Sequence, residues 1–390
     1  MTSLLHSLFH ACLVAVYLGC ACWALVFGSA LVFRVRAQRL LRRSSTFTPP
    51  VSLLKPVYGL EKELRENLRT ACTQDYPDYQ VVFSVQRTDD PAIPILRSLQ
   101  TEFGSEHVSV AIESAHVGMN GKINNLAGAL PHALHDILVI SDSDVYLPSD
   151  YLRQVVAPLA DSSVGAVCTF FRASHARAWY ENVELLTINA DHIALAMLGN
   201  LVGVGDFCFG ASTALRRDTL NALGGFAVLG DYLVEDNELG QRVLRTGKRL
   251  LLLPYVVDTI VDLPDARTWW VKQTYWDQNT RAAVPWAFAA TFFLRVIPMA
   301  LAAVALSGGS ATALEALALA LVTRLSAAVA VLGVALRDRT GLSAMWLIPI
   351  KDCLSLFWFV RAWSKRTVTW RGVEMALTAD GRLRPLEPGP

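Results

Sequence analysis

The chain has 390 residues, 53% of them hydrophobic and 18% charged, and its mean hydropathy is +0.35. This is too apolar for an ordinary soluble protein, and the length allows one sizeable domain plus membrane segments. A net charge of +1 gives no reason to expect nucleic acid as a partner. The seven cysteines show no paired or zinc-like spacing, which is typical of reduced thiols in a membrane or cytosolic setting.

The N-terminal stretch is the first membrane candidate. Residues 1–33 contain no Asp, Glu, Lys or Arg. A helix of this length is long enough to cross roughly 30 Å of hydrocarbon. A cleaved signal peptide carries its positive charges before the apolar stretch, whereas here they come after it. The sequence therefore predicts a signal anchor over 1–33, a basic juxtamembrane linker over 34–50, and a cytosolic location for the domain beyond the linker. The basic residues are Arg34, Arg36, Arg39, Arg42 and Arg43.

Residues 51–262 alternate between short apolar runs and amphipathic stretches. This alternation predicts one doubly wound α/β domain. The predicted strands are 51–56, 80–85, 108–112, 137–140, 164–171, 211–215 and 248–257. The predicted helices are 61–71, 93–102, one opened by 118–125, 151–159, 179–201 and one beginning near 235.

The buried strand over 137–140 is followed by the acidic turn Asp142-Ser143-Asp144. Open α/β sheets bind ligands at the carboxyl ends of their strands. Two carboxylates one residue apart can hold a divalent ion against a substrate diphosphate. The alternative is a polar turn before a helix N-cap, since Pro148-Ser149-Asp150 is a typical helix start.

Two further polar positions allow the same pair of interpretations. Lys122 follows Gly118 and Gly121 near a helix start, which suits a diphosphate but also suits a solvated lysine. Glu235 and Asp236 open an amphipathic helix, where the helix dipole favours acidic residues in any case.

The C-terminal part alternates between aromatic, cationic and apolar stretches. Residues 263–290 mix tryptophan and tyrosine with cations, which predicts helices at the membrane interface. The apolar stretches 282–314 and 316–336 are interrupted only by Arg295 and Arg324, while 342–360 carries Lys351-Asp352 near its middle. The sequence predicts two spans plus one re-entrant or interfacial segment within 291–361. The tail, 362–390, is predicted to be cytosolic, because Arg361, Lys365, Arg366 and Arg371 follow the last apolar stretch.

Taken in order, these motifs resemble the membrane-bound family 2-like glycosyltransferases with a GT-A fold. The resemblance is strongest to the ceramide glucosyltransferase family (family 21), which includes bacterial hopanoid-biosynthesis glycosyltransferases. It covers nearly the whole chain. The residues that carry it are 51–56, Val85-Gln86, Asp89 to Ile93, Lys122 to Leu126, Asp142-Ser143, His192, Cys208, Glu235-Asp236 and Thr369-Trp370-Arg371.

The resemblance implies a UDP-sugar donor bound by a Rossmann-like cytosolic domain. It implies that Asp90 reads the uridine or ribose and that Lys122 helps to hold the nucleotide. It makes Asp142 and Asp144 the diphosphate and metal site, with Mg²⁺ or Mn²⁺ as the ion.

The resemblance also implies an inverting transfer with Asp236 as general base, which takes the proton of the acceptor hydroxyl. His192, Glu235 and Trp276 are implied on the acceptor side. Cys208 is interpreted as a packed small residue rather than a catalyst.

The chain departs from the family pattern at two positions. Tyr275 stands where the family has arginine before tryptophan, and tyrosine cannot supply a permanent cation to a leaving diphosphate. Either Lys272 or Arg281 supplies that charge on the donor side, or the diphosphate depends more on the metal. Asn237 stands where an aromatic residue commonly follows Glu-Asp, which leaves the acceptor open.

The prediction is an enzyme of the bacterial inner membrane that transfers a sugar, glucose first, to a hydroxyl of a membrane lipid such as ceramide on the cytosolic face. A hopanoid N-acetylglucosaminyltransferase is the main alternative. A processive polysaccharide synthase is disfavoured, because such enzymes have an intact Gln-x-x-Arg-Trp motif and more membrane helices. An inactive membrane scaffold is the alternative of another class, and the oligomeric state stays open.

Overall fold

The structure is a computed structural model that describes residues 2–42, 45–112, 115–204, 207–365, 367–370, 373–378 and 380–386. Arg43, Arg366 and Arg371, which entered the topology prediction or the resemblance, lie outside the described residues.

The described chain packs as two compact units. The sheet unit comprises 36–175, 205–262 and 374–390, and the apolar unit comprises 1–35, 176–204 and 263–373. The sequence predicts one continuous domain over 51–262, whereas in the structure segment 176–204 groups with the N-terminal and C-terminal helices.

The sheet unit is built on eight strands in the order β3-β2-β1-β4-β7-β6-β8-β5. Neighbours β3, β2, β1 and β4 are parallel, as are β6 and β8, whereas β7 runs antiparallel to both β4 and β6 and β5 antiparallel to β8. The strands are β1 Val51–Pro56, β2 Tyr79–Val85, β3 Val108–Ile112, β4 Ile137–Ser141, β5 Val145–Tyr146, β6 Val164–Ser174, β7 Ser212–Arg216 and β8 Arg249–Ile260.

Helices cover this sheet, and their apolar sides pack onto it. One buried cluster joins Leu54 of β1 and Leu138 of β4 to Leu126 and Val243 on two of the helices. The helices of the sheet unit are Leu64–Cys72, Ile93–Phe103, Gly121–Ala129, Tyr151–Val156, Arg217–Ala222 and Glu235–Arg245. Beyond the last helix the chain forms β9 Thr367–Trp370, β10 Val373–Leu377 and β11 Leu383–Pro385, and residues 375–377 of β10 pair antiparallel with β11.

The strand order reverses between β1 and β4. From β1 the chain proceeds outward through β2 to β3, and then returns to the opposite side of β1 to form β4. Ligands of open α/β sheets bind where the order reverses in this way. The acidic turn Asp142-Ser143-Asp144 directly follows β4, so it lies at this switch point.

The predicted strands are all present, but the direction of β7 was not evident from the sequence. Its five residues, Ser212–Arg216, are almost entirely buried between β4 and β6. Burial on both faces produces the same apolar run in a parallel and in an antiparallel strand, so composition does not reveal direction.

The apolar unit is helical over most of its length, with single π turns at Ile188–His192 and Ala330–Ala335. Its helices are Thr2–Leu41, Trp179–Thr187, Ile193–Val202, Ala266–Ala283, Pro285–Ala290, Val296–Ser307, Ala311–Val329, Arg339–Ala344 and Ile348–Ser364. Among the described residues, four helical stretches are long and apolar enough to cross a membrane: Leu4–Leu41, Trp179–Val202, Ala311–Ala335 and Arg339–Ser364. The pair Pro285–Leu294 and Val296–Ser307 passes the same test but is bent by 50°.

Two features of the apolar unit differ from the sequence expectation. The apolar stretch whose helix is broken is 282–314, which bends at Arg295, and not 342–360, as the sequence predicted. The stretch Trp179–Val202, predicted only as a helix of the α/β domain, is itself apolar and long enough to span. The charges at Lys351 and Asp352 do not break their helix, because both find ionic partners within the apolar unit. The number and direction of spans stay predictions.

Candidate functional site

The backbone of the acidic turn after β4 is held by a buried lysine. Lys55 of β1 is fully buried, and its Nζ donates hydrogen bonds to the backbone oxygens of Asp142, at 2.8 Å, and Val145, at 2.9 Å. Ser143 donates to Glu61 at 2.6 Å. Burial lowers the pKa of Lys55 to about 8, and the carboxylates of Asp144 and Asp142 act in the opposite direction. These contacts fix the turn while leaving both carboxylates partly accessible.

Lys122 joins two of the predicted site motifs. Its Nζ lies 2.7 Å from Oδ1 of Asp142 and 3.0 Å from Oε1 of Glu235, and it donates to the backbone oxygen of Gly210 at 3.2 Å. Asn120 caps the helix Gly121–Ala129 by accepting from the amide of Lys122, and its amide group donates to Glu235 at 3.1 Å. The acidic turn and the start of helix Glu235–Arg245, which are distant in sequence, therefore meet at one ammonium group.

Asp236 lies beside the same lysine, and a glycine makes room for both. A Cβ placed on Gly210 would lie 2.9 Å from Nζ of Lys122 and 2.9 Å from Oδ2 of Asp236. A larger residue at position 210 would therefore displace one of these two side chains. The other oxygen of Asp236, Oδ1, accepts from the amide of Asn237 at 2.7 Å.

The environment raises the pKa of both groups. Burial raises the pKa of Asp236 to about 7; Glu235 adds to this, and Lys122 partly opposes it. For Lys122, burial favours a lower pKa, but Asp142, Glu235 and Asp236 outweigh it and raise the pKa well above its usual value. The ammonium group of Lys122 therefore stays charged at neutral pH, whereas the carboxyl group of Asp236 can gain and lose a proton at a pH near 7.

Asp90, predicted to read the nucleoside, is largely occupied by backbone groups. Its carboxylate oxygens accept from the amide of Gly59, both at 3.1 Å, and Oδ1 accepts from the amide of Ala92 at 2.9 Å. Asp90 thus ties the loop after β1 to the helix Ile93–Phe103. A role in donor binding stays a prediction.

Asp142 and Asp144 provide the oxygen ligands that a hard divalent ion prefers. Among the described residues, no group of three or more His, Cys, Asp or Glu side chains is arranged to hold a metal ion by itself. Mg²⁺ is commonly held by one or two carboxylates together with substrate phosphates and water. The two partly exposed aspartates after β4 therefore fit an ion whose remaining ligands come from a diphosphate and water.

Cys208 is buried, and its thiol lies 3.3 Å from Oγ1 of Thr213. A Cβ on Gly240 would approach the Cβ of Cys208 to 3.0 Å, so the helix carrying Glu235 and Asp236 packs tightly here.

The remaining predicted site residues belong to the apolar unit. Lys272 lies 3.5 Å from Oε1 of Glu184, and the indole of Trp276 donates to the same oxygen at 2.8 Å. Arg281 donates to the backbone oxygen of Trp363 at 3.2 Å. Glu184 is fully buried and also accepts from Gln273, but the sequence analysis did not single it out.

His192 and Trp276 line a cavity of about 120 Å³ within the apolar unit, their ring centres 6.0 Å apart. Its wall combines aromatic rings with hydroxyl and charged groups. The apolar lining includes Trp23, Leu195, Phe288, Leu294 and Trp358, and the polar lining includes Thr187, Asp191, Asp277, Thr280, Arg295, Lys351, Asp352 and Ser355. Such a lining suits an amphiphilic ligand.

A network of buried charges adjoins this cavity. Arg324, fully buried, donates to Asp352 at 2.9 Å and to Asp191, and its guanidinium lies 4.0 Å from the ring centre of Trp23. Lys351 lies 2.8 Å from Asp352 and pairs with Asp191 as well. The sequence analysis noted these charges only as interruptions of apolar stretches. The signal that could have found the network is the presence of opposite charges at the middle of different apolar helices.

Comparison with known proteins shows the family of this chain. The family model described as Glycosyl transferase family 21 matches residues 11–383. The chain belongs to glycosyl transferase family 21. The resemblance stated from the sequence is thereby confirmed.

Curated relatives of this family 21 chain include two proteins of Caenorhabditis elegans. Ceramide glucosyltransferase 1 is 28% identical over 190 residues, covering 48% of this chain and 40% of the relative. Ceramide glucosyltransferase 3 is 26% identical over 202 residues, covering 51% of this chain and 43% of the relative. The matched segments thus cover less than half of either relative.

Among solved structures, a mannosyltransferase from Pyrobaculum calidifontis in complex with GDP-Man and Mn²⁺ is similar to this chain with a TM-score of 0.50 and 22% identity. The match covers 92% of this chain and 98% of that protein. The predicted GT-A fold, with apolar helices at both ends, is confirmed, and its sheet is mixed rather than wholly parallel.

Proposed function

We propose that this family 21 protein transfers a hexose from a UDP-sugar to a hydroxyl group of a membrane lipid. The observation that carries the proposal is the meeting of Asp142, Lys122, Glu235 and Asp236 around one ammonium group at the switch point of the sheet. The presence of Asp90, Asp142, Asp144 and Asp236 together also weighs against an inactive scaffold, which has no need of all four carboxylates.

On the donor side, Lys122 and the acidic turn receive the diphosphate. Lys122 already balances Asp142 and Glu235, so an incoming diphosphate would compete with these carboxylates for its ammonium group. Asp142 and Asp144 would hold the divalent ion, Mg²⁺ or Mn²⁺, which neutralises the diphosphate as it leaves. Asp90 would contact the nucleoside, and Lys272 or Arg281 would supply the further cation that Tyr275 cannot.

On the acceptor side, Asp236 acts as general base. The lipid oxygen attacks the anomeric carbon, the bond from that carbon to the UDP oxygen breaks, and Asp236 takes the hydroxyl proton. This displacement inverts the configuration of the sugar. Glu235, held by Lys122 and Asn120, would orient the helix start and contact the acceptor. A base whose pKa lies near 7 is well matched to this task at neutral pH.

The cavity of the apolar unit is proposed to hold part of the lipid acceptor, with His192 and Trp276 in its wall. The carboxylates of Asp191, Asp277 and Asp352 in the wall are balanced by Arg295 and Lys351 in the wall and by Arg324 next to it. Because these charges sum to zero, the cavity favours an uncharged polar head group over a phosphate. Ceramide, with glucose as the sugar, is the first acceptor to test, and a hopanoid polyol with N-acetylglucosamine is the alternative.

The protein is proposed to be integral to the bacterial inner membrane, with the sheet unit on the cytosolic face. The boundaries 1–33, 34–50, 51–262, 263–290, 291–361 and 362–390 remain the proposed division of the chain, except that segment 176–204 groups with the apolar unit.

The test is transfer by the purified full-length chain in nanodiscs. UDP-glucose and UDP-N-acetylglucosamine are each supplied with ceramide or with a hopanoid polyol, and lipid products are identified by mass spectrometry. We expect a glycosylated lipid in at least one combination. The variant Asp142→Asn with Asp236→Asn serves as the control that removes both halves of the site. Release of UDP without any glycolipid, at the same rate in wild type and control, would contradict the proposal.

A further inference from the structure

The C-terminal residues 374–386, for which the sequence suggested only a cytosolic tail, form a hairpin in the sheet unit, and the structure describes all of them except residue 379. Met375, Ala376 and Leu377 pair antiparallel with Pro385, Arg384 and Leu383. Leu383 and Met375 are buried, whereas Arg382 and Arg384 are exposed. We call residues 374–386 the C-terminal hairpin.

The C-terminal hairpin contacts the segment 231–233, which directly precedes Glu235 and Asp236. The amide of Leu233 donates to the backbone oxygen of Gly381 at 3.0 Å, and the amide of Leu383 donates to that of Asp231 at 2.6 Å. Between these two hydrogen bonds, residues 232 and 382 form an antiparallel bridge. The hairpin thus extends the backbone hydrogen bonding of a segment that has no strand of its own.

One side-chain pair reinforces this contact. Nη2 of Arg382 donates to the hydroxyl of Tyr232 at 3.1 Å, and its guanidinium carbon lies 5.0 Å from the centre of the tyrosine ring. This is the geometry of a cation–π contact. Nε of Arg382 lies 3.2 Å from Asp380 in the same turn, which orients the guanidinium toward Tyr232.

The opposite side of the same segment is attached to the proposed active site. The side-chain amide of Asn120 donates to the backbone oxygen of Tyr232 at 2.9 Å and to Glu235 at 3.1 Å, and its backbone amide donates to Gly230 at 2.7 Å. A Cβ on Gly118 would lie 2.3 Å from the carbonyl carbon of Gly230, so the two backbones are in direct contact. The segment is therefore held between the hairpin and the residues that carry Lys122.

We propose that the C-terminal hairpin is a positioning element for sugar transfer: Arg382, through Tyr232, holds the segment 231–235 so that Asp236 keeps its place beside Lys122. This inference rests on the proposed function. Neither residue touches the reacting atoms, so the effect is one of alignment. Misplacement of a catalytic group by about 1 Å can slow a reaction on the order of 100-fold.

The test compares three variants of the full-length protein in nanodiscs. Arg382→Ala removes the contact, Arg382→Lys keeps a cation over the ring, and Arg384→Ala is the matched control because it removes an exposed arginine two residues further along the same hairpin. We expect Arg382→Ala to lower kcat roughly tenfold with an unchanged Kd for the UDP-sugar, since the alignment lost is only a fraction of that limit. Arg382→Lys should recover most of the rate, and Arg384→Ala should match wild type.

Hydrogen exchange provides a readout that does not depend on activity. The amides of Leu233 and Leu383 should exchange faster in Arg382→Ala than in Arg384→Ala, while the core strands β1 and β4 keep their protection. If wild type transfers no sugar but this exchange difference is present, the proposed function fails, and the conclusion that the C-terminal hairpin holds the segment 231–233 stands. Equal kcat and equal exchange in the two alanine variants would overturn the inference. A parallel loss of kcat, donor affinity and thermal stability in Arg382→Ala would overturn it too, because that pattern indicates general unfolding.

Discussion

Asp236 derives its expected reactivity from the preceding residue and from two distant segments of the chain. Burial and Glu235 raise its pKa to about 7, Lys122 opposes them, and Gly210 leaves space for the carboxylate. We expect Asp236→Asn, which keeps the shape but cannot accept a proton, to slow transfer by on the order of 10²–10⁴-fold. Transfer and UDP-sugar affinity should be measured on the same purified protein, and the affinity should hardly change.

The control for this variant is Arg245→Ala, an exposed change at the other end of the same helix that leaves both carboxylates in place. Near-normal transfer by Asp236→Asn would remove this residue from the mechanism and make His192 the next candidate base. Loss of donor affinity together with transfer would assign Asp236 a structural role at the helix start.

The pH dependence of transfer is set by the same carboxylate. The base must be unprotonated to accept the hydroxyl proton, so kcat should rise with pH through about 7 and level off above it. The charged groups around it, Glu235, Lys122 and Asp142, act together on its pKa. The measurement is a kcat profile at constant ionic strength, and the residual activity of Asp236→Asn should lack the inflection. A profile that falls through pH 7 would contradict the assignment.

At the scale of elements, the turn after β4 is held in one conformation by hydrogen bonds to its backbone. Lys55 holds its backbone, so the carboxylates of Asp142 and Asp144 need no rearrangement of the turn to take up an ion. We expect a chelator to abolish transfer and to weaken UDP-sugar binding, and added Mg²⁺ or Mn²⁺ to restore both. Transfer that persists undiminished in chelator would exclude the metal role of Asp142 and Asp144 and favour the polar-turn interpretation of these residues.

The buried charges connect helices of the apolar unit. Arg324 lies on Ala311–Val329 and Asp352 on Ile348–Ser364, and both are almost inaccessible. Removal of one member leaves the others unbalanced, so Asp352→Ala should destabilise the protein by about 3–5 kcal/mol. The thermal unfolding midpoint in nanodiscs measures this change, and Glu315→Ala, an exposed change on the same helix as Arg324, is the control.

A double variant separates charge balance from packing. Arg324→Met with Asp352→Leu removes one cation and one anion, and leaves Lys351 paired with Asp191. It should be more stable than Asp352→Ala alone, because replacing a whole buried pair by apolar groups is often neutral. Equal destabilisation by both proteins would show that shape rather than charge governs this contact.

At the scale of the whole molecule, the charge balance of the cavity predicts acceptor choice. In competition experiments, neutral lipids with hydroxyl and amide groups should be glycosylated or bound in preference to anionic phospholipids of the same chain length. Asp277→Asn should shift this preference toward anionic lipids, since it leaves Arg295 without its carboxylate at 3.9 Å. Binding can be followed through the fluorescence of the cavity tryptophans, quenched by brominated lipids. Tighter binding of anionic lipids by wild type would contradict the prediction.

The local patterns of the sequence were sufficient for the family and for seven of the eight strands of the large sheet, but not for the direction of β7. Apolar runs such as 137–140 reveal strands because both faces are buried, and the turn Asp142-Ser143-Asp144 comes at the strand's carboxyl end. The charges Arg324 and Lys351-Asp352 were visible as exceptions to apolar stretches, but their pairing was not. A charge inside an apolar helix predicts that a partner exists without saying on which helix it lies.

The sequence by itself determined the α/β class, the likeness to family 21 and the residue types of the candidate site, because these depend on periodicity and on short motifs. Only the tertiary structure decided that Lys122 joins Asp142 to Glu235, that Gly210 makes room for Asp236, that Glu184 receives Lys272 and Trp276, and that the C-terminal hairpin holds the segment before Glu235. The physical reason is that each of these contacts joins residues far apart in the chain, whose distance is set by the packing of whole elements and not by any local pattern.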